Sequence, residues 1–124
     1  MTTKLTVLAT GGTIAGIAGS AITPGYRSGE IGIEDYLERV GGLGLEAELS
    51  GTQIANIDSA DIGQGTWHSL HVAALAALAD GDCHGIIVTH GTDTLEETAF
   101  LLDLTLPATK PVVVVGAMRP ADAV

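Results

Sequence analysis

The sequence is poor in aromatic residues and in basic residues. One Trp, two Tyr and one Phe leave the core to be built from Leu, Ile, Val and Ala. Five basic residues stand against 15 acidic ones, a formal charge of -10, and no Lys/Arg cluster is present that could neutralise phosphates. The composition therefore argues against binding to nucleic acid or to an anionic membrane surface.

The chain has a single cysteine and no long apolar run. Cys83 excludes an intrachain disulfide and indicates neither redox compartment. A thiol nucleophile is one interpretation of Cys83, but the near absence of cationic neighbours favours an incidental thiol before a strand. No apolar run is long enough to span a bilayer, and the N-terminus does not resemble a signal peptide. We therefore expect a cytoplasmic protein, or a periplasmic one if a signal peptide has been removed.

Apolar stretches of two kinds alternate along the 124 residues, which suffice for one domain with a core of its own. Short β-prone runs predict strands, and apolar residues spaced three and four apart predict helices. The predicted strands are the opening run from Leu5, Leu45 to Ile57, Gly85 to Thr89 and Val112 to Val115; the predicted helices are Ile33 to Val40, Trp67 to Leu78 and Leu95 to Leu104.

This alternation predicts an α/β fold with right-handed crossovers. The fold is a parallel sheet flanked by helices in three layers, of the Rossmann or flavodoxin-like type. The four valines from Val112 to Val115 are typical of a strand at the centre of such a sheet.

Three polar turns each follow a predicted strand: Gly11 to Thr13, Ser59 to Asp61, and Gly91 to Asp93. Because parallel strands place their carboxyl ends at one edge of the sheet, these turns are expected to form one crevice. Thr13 has two interpretations, a reactive hydroxyl or a threonine that caps backbone groups in a tight turn.

Two other features leave alternatives open. Tyr26 lies in the glycine-rich stretch from Gly16 to Gly29, and it is either an active-site phenol or a ring packed on the edge of the domain. His68 and His71 lie three apart on a helix and could share a metal. No cysteine or carboxylate completes a ligand set, which favours surface histidines.

The residue types in the crevice favour acyl transfer. The chain has neither the lysine of a phosphate-binding loop nor a G-x-S-x-G elbow. Hydroxyls beside the N–H groups of glycine turns can attack a carbonyl and hold the resulting oxyanion. A threonine nucleophile needs a base or a proton relay, and in this chain Tyr26, Asp93 or the histidines are the candidates.

Four stretches carry a resemblance to a known family. The segments Thr10–Gly16 and His90–Ala99 resemble the two signatures of the bacterial-type L-asparaginase family. Asn56–Ser59 and Lys110–Pro120 match as well, in the same order. The resemblance spans nearly the whole chain, so residues 1–124 are expected to form the N-terminal α/β domain of that family.

The resemblance implies catalytic roles for four residues. Thr13 resembles the nucleophile that attacks the side-chain amide of asparagine and releases ammonia. Tyr26 matches the tyrosine that contacts this nucleophile, and Thr92 matches the second catalytic threonine. Asp93 belongs to the same catalytic group.

The resemblance also implies how substrate binds. Ser59 matches the residue that holds the α-carboxylate, and Asp93 matches the one that binds the α-ammonium group. Backbone N–H groups of Gly12 and Thr92 are expected to form the oxyanion hole, and Gly91 joins these substrate-binding residues. The implied scheme uses no metal and no cofactor, takes asparagine as a small-molecule substrate with aspartate as product, and belongs to a homo-oligomer.

Two departures from the family pattern qualify the scheme. Ala60 stands where the family usually has Gln or Glu to reach the substrate's amino group, so weaker or altered recognition of that group is expected. The family's catalytic lysine and its smaller C-terminal domain match nothing in residues 1–124, and Lys110 is not equivalent to that lysine. The alternative function is a non-catalytic amino-acid-binding domain, or an assembly half that needs a C-terminal complement.

Overall fold

The computed structural model describes residues 1–18, 26–27 and 31–121, with backbone alone at residues 18, 26 and 27. Its elements are β1 (Thr3–Gly11), a 3₁₀ turn (Thr13–Ala15), β2 (Ile17–Ala18), β3 (Tyr26–Arg27), α1 (Ile33–Gly41), β4 (Ala47–Ile57), a second 3₁₀ turn (Ser59–Asp61), α2 (Gln64–Ala79), β5 (Gly85–Thr89), α3 (Leu95–Thr105) and β6 (Val112–Val115). Every strand and helix predicted from the sequence is present. None of the described helices has the length and apolar composition needed to cross a membrane.

The main sheet has four strands in the order β4-β1-β5-β6, and every pairing in it is parallel. The predicted α/β fold with a parallel sheet is therefore confirmed. β2 and β3 form a separate antiparallel pair, with Ile17 opposite Arg27. This pair lies in the stretch expected to be a loop, and residues 19–25 and 28–29 of that stretch lie outside the described residues.

The larger part of the core lies between one face of the sheet and helices α2 and α3. Strand residues such as Leu8, Ile86 and Val88 are fully buried there against Leu70 of α2 and Leu102 of α3. Burying one such aliphatic side chain stabilises the fold by about 1.5–3 kcal/mol. This face therefore holds the crossover helices against the sheet, and with them the turns that precede each helix.

The opposite face is covered only in part. Helix α1 places Ile33 against Val7 and Ala9, with Tyr36 at the margin, where burial raises the pKa of its phenol. The helix packs over β4 and β1, so the β5 and β6 side of this face has less cover, and Val113 is 54% exposed.

The expectation that the valine run lies at the centre of the sheet is wrong for the part of the chain that the structure describes. β6 is the outermost strand, paired with β5 alone. A run of four valines satisfies the β propensity of any strand, and the sequence pattern does not report how many neighbours that strand has.

The pairing of β1 with β4 is irregular near the carboxyl ends of the strands. Ala9 lies opposite Gln53, but Gly11 lies opposite Ile57, so β4 holds two more residues than β1 over this interval. The Gln53 amide bridges the irregularity, because its nitrogen donates to the Ala9 carbonyl at 3.3 Å and its oxygen accepts from the Ile33 N–H at 2.9 Å. This displacement brings the end of β4 beside the glycine turn that follows β1.

Candidate active site

The turns after β1, β4 and β5 meet where the carboxyl ends of these strands lie together, as the sequence predicts. They enclose a small cavity of about 20 Å³, which is room for roughly one water-sized group. The lining residues are Gly12, Thr13, Asp58, Ser59, Gly91, Thr92 and Asp93. These three turns are called the site turns below: residues 11–13, 58–61 and 91–94.

Two consecutive glycines shape the first site turn. Gly11 and Gly12 have φ angles of +104° and +80°, a region in which an L side chain is strained. Both also touch backbone: a Cβ on Gly11 would lie 2.6 Å from the Ile57 nitrogen, and one on Gly12 would collide with the backbone of Gly91. Glycine is therefore required at both positions, because the turns after β1, β4 and β5 contact each other through their main chains.

Ser59 joins the second site turn to the third. Its hydroxyl oxygen accepts from the Asp93 N–H at 3.0 Å, and its carbonyl accepts from the Thr94 hydroxyl at 2.8 Å. Gly91 lies so close that a Cβ there would be 2.6 Å from the serine Oγ. Ser59 is only 2% exposed, and the Asp58 carboxylate stabilises its turn by accepting from the Ala60 N–H at 3.0 Å.

The reactive candidates lie around this framework. Thr13 is 7% exposed and is the first residue of its 3₁₀ turn, with Gly12 in the capping position before it. Thr92 and Asp93 are exposed at the mouth of the cavity. The Gly12 N–H, one of the two expected oxyanion donors, donates to the Ile57 carbonyl at 3.1 Å.

Tyr26 is the one predicted site residue whose side chain lies outside the described residues. Its backbone belongs to β3 and pairs with Ala18. Whether this phenol contacts Thr13 or packs on the edge of the domain stays a prediction.

The structure separates the other candidate groups from the cavity. Cys83 is buried in the core beside α2, where its thiol donates to the Gly85 carbonyl at 3.3 Å. His68 is exposed on α2, and His71 Nε2 lies 3.4 Å from the Thr105 carbonyl of α3. Within the described ranges, no three His, Cys, Asp or Glu side chains form a group that could hold a metal ion.

Two residues near the site were not singled out from the sequence. Asp58 lines the cavity, and its position directly after the strand and before Ser59 was the available signal. His90 is fully buried beneath the third site turn, where its ring contacts Gly91 and Thr98. A lone histidine at the end of a strand has no periodicity, so only the folded contacts reveal its position.

The comparisons with known proteins agree on one family. Residues 4–124 match the family model for the N-terminal domain of asparaginase. The chain is 46% identical over 121 residues to L-asparaginase 2 of Escherichia coli K12, covering 95% of this chain and 33% of that protein. It is also 46% identical over 118 residues to a probable periplasmic L-asparaginase of Haemophilus influenzae, covering 95% of this chain and 33% of that one.

A solved structure gives the same result. The crystal structure of a probable cytoplasmic L-asparaginase from Campylobacter jejuni superposes with a TM-score of 0.88 at 43% identity, over 98% of this chain and 37% of that one. The chain thus spans about a third of the length of the relatives it matches. From the family match over residues 4–124 and the shared fold, this chain belongs to the asparaginase family.

Proposed function

We propose that the protein is an L-asparaginase-type amidohydrolase that hydrolyses L-asparagine, and some L-glutamine, releasing ammonia and leaving aspartate from asparagine. The observation that supports this most strongly is the meeting of Thr13, Ser59 and Asp93 at one cavity in a chain of the asparaginase family. Relatives named L-asparaginase support the same substrate.

The proposed chemistry begins with the Thr13 hydroxyl. Its oxygen forms a bond to the side-chain amide carbon of asparagine, and the tetrahedral intermediate carries the negative charge on the former carbonyl oxygen. The C–N bond then breaks, and ammonia leaves with the proton that the hydroxyl gave up. Water hydrolyses the resulting ester, which releases aspartate and restores the threonine.

The oxyanion requires N–H donors at the position where its charge develops. We assign the principal contact to the Thr92 N–H, because the Gly12 N–H already donates to Ile57. Gly12 serves in this proposal by letting the two turns approach each other, and it reaches the oxyanion only if its bond to Ile57 lengthens.

Substrate recognition rests on two polar groups that differ in exposure. Ser59 Oγ accepts from the Asp93 N–H, so its own proton is the group left to donate to the substrate's α-carboxylate. The exposed Asp93 carboxylate is suited to bind the α-ammonium group. Ala60 is also exposed, and it brings no polar side chain to that end of the substrate.

One observation favours a second candidate function, an amino-acid-binding domain or an assembly half that turns over little substrate alone. Among the strands that the structure describes, β6 pairs with β5 alone; Val113 of β6 is 54% exposed, and Met118 in the segment after it is 83% exposed. Large exposed apolar surface marks a site of protein contact. In this alternative, Thr13 binds substrate without completing the reaction.

The remaining expectations belong to this proposal. We place the protein in a homo-oligomer, assign it no nucleic-acid or membrane partner and no cofactor, and take residues 1–124 as the N-terminal domain of the family. We propose the cytoplasm as its compartment; the relatives named above include one called periplasmic and one called cytoplasmic.

The test is ammonia release from asparagine and from glutamine by the purified protein. Thr13→Ala is expected to lower kcat/KM by about 10³-fold or more, because the nucleophile is removed while the binding groups remain. Thr109→Ala is the matched control. It removes the same hydroxyl from an exposed loop that precedes β6, at the opposite edge of the sheet from the site turns.

The outcomes separate the two candidates. Activity that falls in Thr13→Ala and persists in Thr109→Ala supports a threonine-dependent amidohydrolase. No ammonia from the unmodified protein, with aspartate still bound, supports the binding domain. Equal activity in both variants contradicts the proposal that Thr13 is the nucleophile.

A further inference from the structure

Beneath the third site turn lies a series of hydrogen bonds that the proposed reaction does not use, buried at His90 and Thr98 and partly buried at Trp67. The Trp67 indole N–H donates to the Thr98 hydroxyl oxygen at 2.8 Å, and that oxygen lies 2.8 Å from His90 Nε2. On the other side of the ring, His90 Nδ1 lies 2.6 Å from the Gly91 carbonyl oxygen. His90 and Thr98 are both 0% exposed, so water cannot replace these partners.

The two ends of this series of hydrogen bonds determine which atom donates and which accepts in each bond. An indole N–H only donates and a carbonyl oxygen only accepts. His90 Nδ1 must therefore carry the proton that points at Gly91. The Thr98 hydroxyl, which accepts from Trp67, is then free to donate to His90 Nε2. For a neutral imidazole, one set of donors and acceptors satisfies all three bonds, and it assigns the Nδ1–H tautomer to His90.

The bond to Gly91 orients the peptide between Gly91 and Thr92. A peptide unit is planar and trans, so its N–H points opposite to its C=O. Because the buried His90 holds the carbonyl on the core side, the Thr92 N–H is turned to the other side, where Gly91 and Thr92 line the cavity.

We propose that His90 is a positioning residue: through its Nδ1–H it holds the Gly91–Thr92 peptide so that the Thr92 N–H faces the developing oxyanion, with Thr98 and Trp67 fixing its tautomer and ring. The catalytic part of this inference rests on the proposed function. Gly91 is also pressed against Ser59 and Gly12, so the peptide has little room to turn once the carbonyl is held.

Paired substitutions test the inference, because an amide side chain can imitate either end of the ring. His90→Asn keeps a donor near the Nδ1 position, whereas His90→Gln places its amide near Thr98 and leaves the Gly91 carbonyl without its donor. His90→Gln is expected to lower kcat by about 10–10²-fold with a smaller change in KM, the effect of a misplaced transition-state donor. His90→Asn is expected to recover most of that loss, and exposed His68→Gln is the matched control.

A spectroscopic measurement tests the geometry without relying on activity. Nitrogen NMR of the His90 ring is expected to show a proton on Nδ1 and none on Nε2, and Thr98→Val is expected to disturb that pattern. Trp67 is the only tryptophan in the sequence, so its indole N–H resonance reports the same bond from the far end.

The outcomes keep the two proposals apart. An unmodified protein that releases no ammonia contradicts the proposed function, and the tautomer then decides the inference. A proton on Nδ1 with a Thr92 amide resonance that shifts in His90→Gln supports the inference. A proton on Nε2, or equal kcat losses in folded His90→Gln and His90→Asn, overturns it.

Discussion

The site turns and the β6 side of the sheet differ in how closely their residues are packed and hydrogen-bonded. The site turns are joined by main-chain contacts and by two hydrogen bonds of Ser59, and a third bond stabilises the second turn from within, so little of their backbone is left to rearrange. In α3 and β6, large apolar residues are exposed: Phe100 is 64%, Leu104 67% and Val113 54% exposed. The framework of the candidate site is therefore closely joined, whereas Val113 lies on a part of the sheet that the described helices leave exposed.

This difference follows from the elements that supply the contacts of each region. A turn is held by residues close in sequence and by the adjacent strands, all of which lie within residues 3–105. The cover of a sheet needs further elements, and the three described helices cover one face well and the other in part. The candidate site and the exposed residues of β6 therefore lie on different parts of one sheet.

The largest loss of stability is expected from a substitution in the site turns. Gly12→Ala adds a side chain at φ +80°, against the backbone of Gly91, and is expected to lower the free energy of unfolding by about 2–6 kcal/mol. Gly44→Ala is the matched control, since Gly44 has φ +71° and open space around it, and about 1–2 kcal/mol is expected there. Urea denaturation measures both. Equal losses would contradict the close contact between the turns.

The next largest loss of stability is expected at a buried valine of the sheet, with an exposed valine for comparison. Val88→Thr buries a hydroxyl in the core and is expected to cost about 1–3 kcal/mol, because Val88 is 0% exposed. Val113→Thr at the exposed position is expected to stay within about 0.5 kcal/mol.

Sedimentation of the two valine variants tests whether copies of the protein contact each other at β6. If the β6 side is a contact surface between copies, Val113→Thr weakens self-association and Val88→Thr does not. Unchanged sedimentation of Val113→Thr would contradict a contact surface between copies at β6.

The smallest effect concerns recognition at the mouth of the cavity. Ala60→Gln is expected to lower KM for asparagine by roughly 2–10-fold, the range that corresponds to one added hydrogen bond of about 0.5–1.5 kcal/mol. Ala108→Gln, in the exposed loop before β6, is the control for an added amide elsewhere. An unchanged KM in Ala60→Gln would contradict the idea that this position limits recognition of the amino group.

The sequence predicts the strands, the helices and the meeting of the site turns, because each depends on local pattern plus one rule about parallel sheets. It does not predict the β2–β3 pair, since two residues per strand carry no periodicity. Nor does it predict that β6 is the outermost of the described strands, because a run of valines does not report how many neighbours a strand has. The His90 ring contacts Thr98 of α3, and Thr98 accepts in turn from Trp67 of α2. Such tertiary contacts have no signature in sequence spacing.

The Ser59 bonds show the same limit within the site. The sequence places a serine after β4 and an aspartate after β5, and the resemblance to asparaginases assigns each a substrate contact. That the serine oxygen accepts from the Asp93 N–H depends on how closely the second and third site turns approach each other in the fold, and the sequence carries no signal of that distance.

Trapping the covalent intermediate is the most direct test of whether Thr13 is the nucleophile. The protein is mixed with asparagine, quenched in acid within one turnover, digested and analysed by mass spectrometry. We expect an aspartyl ester on Thr13 of the unmodified protein and of His90→Asn. The ester is expected to be absent from Thr13→Ala. Ammonia release with the aspartyl group on another residue, or with no covalent species at any time point, would contradict the assignment of Thr13 as the nucleophile.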